Sequence, residues 1–151
     1  MRGATSCHEG WKEVRTMGDF SPHAGIDPSH QRAARAGAIQ AAGGLPAAMA
    51  AGVLPERVDL SVSEAVVLGL LRQGVERFVG VFGHGSTDIG EVLRIYEAAG
   101  LVRIYAVRHE TEAVHAAAAL RWVTGEKAAV FTSIGPGALH ALAGSLVPAS
   151  D

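Results

Sequence analysis

The second half of the chain alternates between helix-like and strand-like segments, and this alternation limits the folds available to it. From about residue 58, amphipathic helical spacing gives way repeatedly to short apolar runs rich in β-branched side chains. Glycines close most of these segments, and the connections are short. The predicted order is α-β-α-β-α-β-α. It is typical of an α/β fold, a doubly wound parallel sheet with helices on both faces.

The predicted elements begin with a capping box, in which Ser61 accepts a hydrogen bond from the first helical turn and Glu64 reaches back. Strands are predicted at 77–82, 101–107 and 127–132, and helices at 64–73, 89–99, 109–124 and 138–147. Three strands would leave both edges of the sheet open. We therefore expect an incomplete domain, either a fragment or a unit completed by another polypeptide.

Composition separates the chain into two parts. Residues 1–57 have no sustained hydrophobic period and are predicted to be a flexible N-terminal leader or a loosely docked arm. In the whole chain, 48% hydrophobic and 19% charged residues predict a packed core. A net charge of −2 gives no indication of a nucleic-acid or membrane partner. The single cysteine, Cys7, favours a reducing compartment such as the cytoplasm.

Two glycine-rich loops follow predicted strands. Gly83-His84-Gly85 begins like a dinucleotide-binding fingerprint, but Asp88 stands where the third glycine is required, so NAD or FAD binding is disfavoured. The second loop, Ser133 to Gly137, places two glycines around a proline. It either lets the backbone approach a flat or anionic group, or it is simply a tight turn. The sequence pattern leaves both interpretations open.

Glu110 stands where the second strand meets the next helix. An acid at this position either complements the helix macrodipole or, because the surrounding runs are apolar, is partly buried. Burial would raise its pKa, as is common for an acid/base residue. His109 and His115 are six residues apart and lie on different helix faces, so no metal site is predicted.

Taken together, these features resemble the N-terminal, pyrimidine-binding domain of thiamine-diphosphate enzymes of the acetolactate synthase and 2-oxo-acid decarboxylase group. The resemblance covers about residues 60–151 and assigns residues 58–151 to that domain. Its motifs follow the family's order: Phe82-Gly83-His84-Gly85, Arg108-His109-Glu110, His115-Ala116-Ala117 and Ser133-Ile134-Gly135-Pro136-Gly137. The two loops are most similar to the branch that includes trihydroxycyclohexanedione hydrolase. His140 stands where the family has asparagine.

The resemblance implies roles for particular residues. Glu110 would be catalytic, forming a hydrogen bond with N1′ of the cofactor's aminopyrimidine. Gly135, Pro136 and Gly137 would lie near the same ring, and the Gly83-His84-Gly85 loop would face the substrate. The family binds Mg²⁺ and diphosphate in a separate domain that starts with Gly-Asp-Gly, and no such segment occurs in this sequence.

The implied function is the pyrimidine-binding part of a lyase or carboligase. Such an enzyme makes or breaks a C–C bond next to a carbonyl, as in a 2-oxo acid. Activity would require a homo- or hetero-oligomer that contains a diphosphate-binding domain. Two alternatives are a C–C hydrolase of a cyclic dione and a non-catalytic interaction subunit that keeps the fold.

Overall fold

A computed structural model gives the arrangement of residues 28–55 and 57–146. The described residues form six helices and three strands in an order that extends the predicted alternation by two helices at its start. The elements are α1 (Pro28–Ala41), α2 (Leu45–Ala50), α3 (Val62–Arg72), β1 (Val75–Gly80), α4 (Thr87–Ala98), β2 (Arg103–Ala106), α5 (Glu110–Thr124), β3 (Lys127–Phe131) and α6 (Pro136–Ser145).

The three strands form one parallel sheet with the order β2-β1-β3. In the central strand, Phe78 pairs with Ile104 on one side and with Ala129 on the other. The helices fall into two groups: α1, α2, α3 and α4 pack together, whereas α5 packs on α6, β1 and β3. The predicted α/β fold with a parallel sheet is confirmed.

The hydrophobic core lies mainly among α1 to α4 and the sheet. Its largest fully buried side chains are Tyr96, Phe78, Ile39, Leu93, Val67 and Val92. The helices on the other side leave large apolar side chains exposed: Trp122, Val123, Leu139, Leu142 and Leu146. Among the described residues, no helix has the length and apolar character needed to cross a bilayer.

The structure corrects the prediction for the N-terminal region. Residues 28–50 contain α1 and α2, whose Ala36, Ile39, Leu45 and Ala48 are buried in the common core. The expectation of a flexible leader is therefore wrong for these two helices, and the part of that prediction covering residues 1–27 lies outside the described residues. Alanine-rich helix faces allow close packing although each residue buries little area.

A buried carboxylate, Glu64, ties α1 to the rest of the core. Its backbone N–H donates to Ser61 Oγ over 3.2 Å, as the capping box predicts. Its side chain does not reach back to Ser61. It pairs with Arg35 and with Arg32, at 3.5 Å, and accepts from the Tyr96 hydroxyl at 3.0 Å. Burial, reinforced by the charge of Glu64, raises the pKa of Tyr96.

Gly80 marks the closest backbone approach within the sheet. A methyl group at this position would lie 1.9 Å from the carbonyl oxygen of Phe131, and backbone in a paired strand cannot move away easily. We expect Gly80→Ala to lower the free energy of unfolding by about 2–3 kcal/mol in urea denaturation. Gly69→Ala is the matched control, because Gly69 is an exposed helical residue with open space at the added methyl. That control should be neutral or stabilising by up to about 1 kcal/mol, and equal losses in both variants would contradict the steric argument.

Candidate active site

One edge of the sheet collects the residues singled out from the sequence. Because all three strands are parallel, their carboxyl ends lie at the same edge, where α/β folds bind ligands. The loop containing Gly83 follows β1, Glu110 follows β2, and the loop ending at Gly137 follows β3. The contacts among Glu110 and these two loops show which of them touch.

Glu110 begins α5 and is 8% exposed. Its Oε2 lies 3.3 Å from Nδ1 of His140, which belongs to α6. A methyl group added at Gly137 would lie 2.6 Å from Oε1, so only glycine leaves room for the carboxylate there. The two carboxylate oxygens therefore have different surroundings, one next to an imidazole and the other against bare backbone.

The electrostatics of Glu110 differ from the sequence prediction. Its pKa is lowered, chiefly because its carboxylate accepts a hydrogen bond from its own backbone N–H. The hydrogen bond to His140 and the charges of His140 and His109 act in the same direction, while burial opposes them. The expectation that burial raises this pKa is wrong for the chain by itself, because unpaired N–H groups at a helix N-terminus favour an ionised carboxylate.

The loop after β1 is closed by a buried serine. Ser86 Oγ accepts from the Gly83 N–H and donates to the Gly83 carbonyl, both at 3.0 Å. Ser86 is thus the N-cap residue of α4, but its side chain does not cap the helix. The bond pair fixes the turn that carries His84, whose side chain is exposed.

The two glycine loops pack against each other. The Ile134 N–H donates to the His84 carbonyl over 3.2 Å. A methyl group at Gly83 would lie 2.6 Å from Ser133 Oγ, and one at Gly85 would lie 2.3 Å from the Ile134 side chain. Close contact therefore requires glycine at both ends of the Gly83-His84-Gly85 loop.

The loop after β3 connects the whole site. Gly135 has φ +66°, which favours glycine, and Pro136 occupies the first turn of α6, where its missing N–H costs nothing. Through Gly137 this loop contacts Glu110, and through Ile134 it contacts the loop of His84. The sequence predictions for Glu110, Gly137 and His84 thus fall on one continuous stretch of surface.

His140 is the residue whose position the sequence did not predict. Within the described ranges, His109, Glu110 and His140 form a group of potential metal ligands whose donor atoms lie within 4.8 Å of one another. The two imidazoles are stacked, with centroids 4.6 Å apart and an interplanar angle of 24°. Lone pairs in stacked rings point side by side instead of converging on one ion. Nδ1 of His109 already accepts from the Thr111 N–H at 3.3 Å, and two imidazoles do not suit Mg²⁺, which prefers oxygen ligands.

A sequence signal for His140 did exist. It lies one helical turn after Pro136, in the helix that the Gly-Pro-Gly loop starts. What the sequence lacks is the packing of α6 on α5, which brings residue 140 to residue 110.

The fold and this edge define the chain as an α/β ligand-binding domain with a buried acid beside a glycine loop. Residues 60–147, more than half of the chain, match the family described as thiamine pyrophosphate enzyme, N-terminal TPP binding domain. The chain therefore belongs to this family, which confirms the resemblance drawn from its motifs.

The relatives are acetolactate synthases. The chain is 43% identical over 88 residues to the acetolactate synthase isozyme 3 large subunit of Escherichia coli (strain K12), covering 56% of this chain and 14% of that protein. It is 40% identical over 95 residues to the large subunit of Haemophilus influenzae, covering 61% and 16%, and 34% identical over 93 residues to that of Pyropia yezoensis, covering 60% and 16%. The chain thus spans about one sixth of their length or less, and α1 and α2 precede the family match.

Proposed function

We propose that this chain is the pyrimidine-binding part of a thiamine-diphosphate-dependent enzyme that makes or breaks a C–C bond next to the carbonyl of a 2-oxo acid. The observation that carries the proposal is the buried Glu110 carboxylate in contact with Gly137 at the carboxyl edge of the sheet. It lies within the residues that match the family. A cytoplasmic location, supported by the single cysteine, is part of the proposal.

The residues around Glu110 fit the aminopyrimidine of this cofactor. A ring nitrogen needs a hydrogen-bonding acid in a site with little water, and Glu110 is 8% exposed. A flat ring needs backbone without a side chain beside it, and Gly135 and Gly137 provide such backbone. When bound, thiamine diphosphate supplies an acidic C2–H and an electron sink for C–C bond chemistry.

In this proposal each part of the site has a separate task. Glu110 holds or releases a proton at its carboxylate, facing the ring nitrogen. The Gly135-Pro136-Gly137 turn leaves room for the ring. The exposed loop of His84 forms the wall that the carbonyl substrate approaches. Mg²⁺ and the diphosphate group require a second domain, since the ligand cluster at Glu110 is rich in imidazole.

The need for a partner domain is supported by the unequal burial of the two helix layers. The large apolar side chains of α5 and α6, such as Trp122 and Leu139, are more than half exposed. Apolar surface of this kind typically marks a protein–protein contact. A homo- or hetero-oligomer that brings a diphosphate-binding domain to this side would cover it and complete the site.

The test is the exchange of the cofactor's C2 proton. The 151-residue chain is mixed with thiamine diphosphate, Mg²⁺ and the diphosphate-binding domain of a related acetolactate synthase large subunit, and C2–H/D exchange is followed by NMR after acid quench. We expect accelerated exchange in the complete mixture and background exchange when either protein is left out. A stable complex that leaves the exchange at background would favour a non-catalytic interaction subunit. Turnover of pyruvate or of a cyclic dione by the active mixture then separates carboligase from hydrolase.

A further inference from the structure

We propose that His140 is a positioning residue for Glu110, holding the carboxylate in one orientation and in its ionised form. The inference rests on the proposed function of Glu110 and adds a second residue to that site. The geometry that points to it is the 3.3 Å approach of His140 Nδ1 to Glu110 Oε2 across the α5–α6 contact.

The direction of this hydrogen bond follows from the charge of Glu110. An ionised carboxylate only accepts hydrogen bonds, so Nδ1 of His140 carries the proton and donates it. Oε2 is then engaged by the imidazole, while Oε1 lies against Gly137. Because the two oxygens have these separate contacts, the carboxylate is held in one rotation about its Cγ–Cδ bond. His140 thereby selects which oxygen is available to a ligand.

Two further contacts hold His140 itself in place. Its ring stacks on that of His109, 4.6 Å between centroids. Its backbone carbonyl accepts from Thr111 Oγ1 at 3.0 Å, and the Thr111 N–H in turn donates to His109 Nδ1. The first turn of α5 and the middle of α6 are therefore clamped together around Glu110. A half-exposed histidine without such contacts would move freely among its rotamers.

Other charged groups do not take over this role. In and beside α5, the side chains that titrate or carry charge are Arg108, His109, Glu112, His115, Arg121 and Glu126, and in the described part of α6 His140 stands alone. The charged side chains of the strands under α5 lie at the opposite ends of those strands: Glu76, Arg77 and Lys127. Of all these groups, His140 and His109 lower the pKa of Glu110, and of the two only His140 does so through a hydrogen bond.

Two substitutions at residue 140 separate the N–H donor from the ring. His140→Phe keeps an aromatic ring to stack on His109 but removes Nδ1. His140→Asn restores an N–H donor at a similar distance from the backbone without restoring a titrating group. His115→Phe, at an exposed position of α5, is the matched control. Thermal melts of all variants check that each one folds.

The first measurement uses the 151-residue chain without cofactor. The carboxyl ¹³C signal of Glu110, assigned by its loss in Glu110→Gln, is titrated with pH. We expect the midpoint to move to higher pH in His140→Phe and to return toward the wild-type value in His140→Asn. An unchanged midpoint in His140→Phe, or an equal shift in the His115→Phe control, would overturn the proposal.

The second measurement uses the complex that catalyses C2–H/D exchange. A lost hydrogen bond to a charged group predicts exchange slowed by about tenfold in His140→Phe, with most of the rate recovered in His140→Asn. Equal slowing in both variants would mean that restoring the N–H donor does not restore the rate, which contradicts the proposal. If the wild-type complex shows no exchange, the proposed function fails, and the ¹³C titration still decides whether His140 acts on Glu110.

Discussion

Glu110→Gln is expected to slow cofactor C2–H/D exchange by about 10²- to 10⁴-fold, the range that a positioned acid or base typically contributes. The amide has nearly the shape of the carboxylate and fits beside Gly137, but it cannot share a proton with a ring nitrogen. The loss should therefore be chemical, with binding of the partner domain unchanged. The measurement is the exchange experiment in the complete mixture.

The control for this variant is Glu112→Gln. Glu112 is also in the first turn of α5 but is exposed. It therefore interacts with the helix macrodipole as Glu110 does, but it does not belong to the site. Both substitutions remove a favourable interaction with the helix dipole, and only the one at residue 110 should affect exchange. Glu110→Asp, which keeps the acid but withdraws it by one methylene, should be intermediate. Equal exchange in wild type and Glu110→Gln would remove Glu110 from the mechanism.

Glu64→Ala is expected to lower the free energy of unfolding by about 3–5 kcal/mol, because it leaves two largely buried guanidinium groups without their carboxylate. Glu64 is 2% exposed, and the side chains of Arg35 and Arg32 that pair with it are 13% and 20% exposed. The Tyr96 hydroxyl, fully buried, would lose its acceptor as well. Urea denaturation followed by circular dichroism measures the change.

An exposed ion pair provides the comparison. Arg77 and Glu126 form a salt bridge at 3.0 Å with side chains that are 32% and 45% exposed. Glu126→Ala should therefore cost less than about 1 kcal/mol. Tyr96→Phe, which removes one hydrogen bond to a charged group, should fall between the two at about 1.5–3 kcal/mol. Similar losses for Glu64→Ala and Glu126→Ala would show that the docking of α1 does not depend on the buried charge.

The Glu64 network also bears on where the folded unit begins. The family match starts at residue 60, yet the two arginines that pair with Glu64 lie in α1, and Ile39 and Ala48 are part of the same core as Phe78. A chain shortened to the family match would keep Glu64 and lose Arg32 and Arg35. The N-terminal helices are therefore part of the core that supports the site, although they contribute none of the residues at its surface.

The sequence alone determined the features that depend on residues close together in the chain. Hydrophobic spacing gave the strands and the four later helices to within a few residues, since an amphipathic segment carries its own period. The same local pattern placed Glu110 at a strand end and the glycine loops after β1 and β3. Because the carboxyl ends of parallel strands lie at the same edge of the sheet, the sequence also predicts that Glu110 and these loops lie near one another.

The tertiary structure decided what depends on residues far apart in the chain. Glu64 has a capping-box position, but its side chain turns inward to Arg35, 29 residues away, because a buried cation outweighs a backbone N–H at the helix surface. The docking of α1 and α2 depends on contacts with α4 and α3, which lie far from them in the sequence. The contact between Glu110 and His140, 30 residues apart, arises because α6 packs on α5. The sequence thus located the acid at the strand end, and packing between helices determined which side chain orients it.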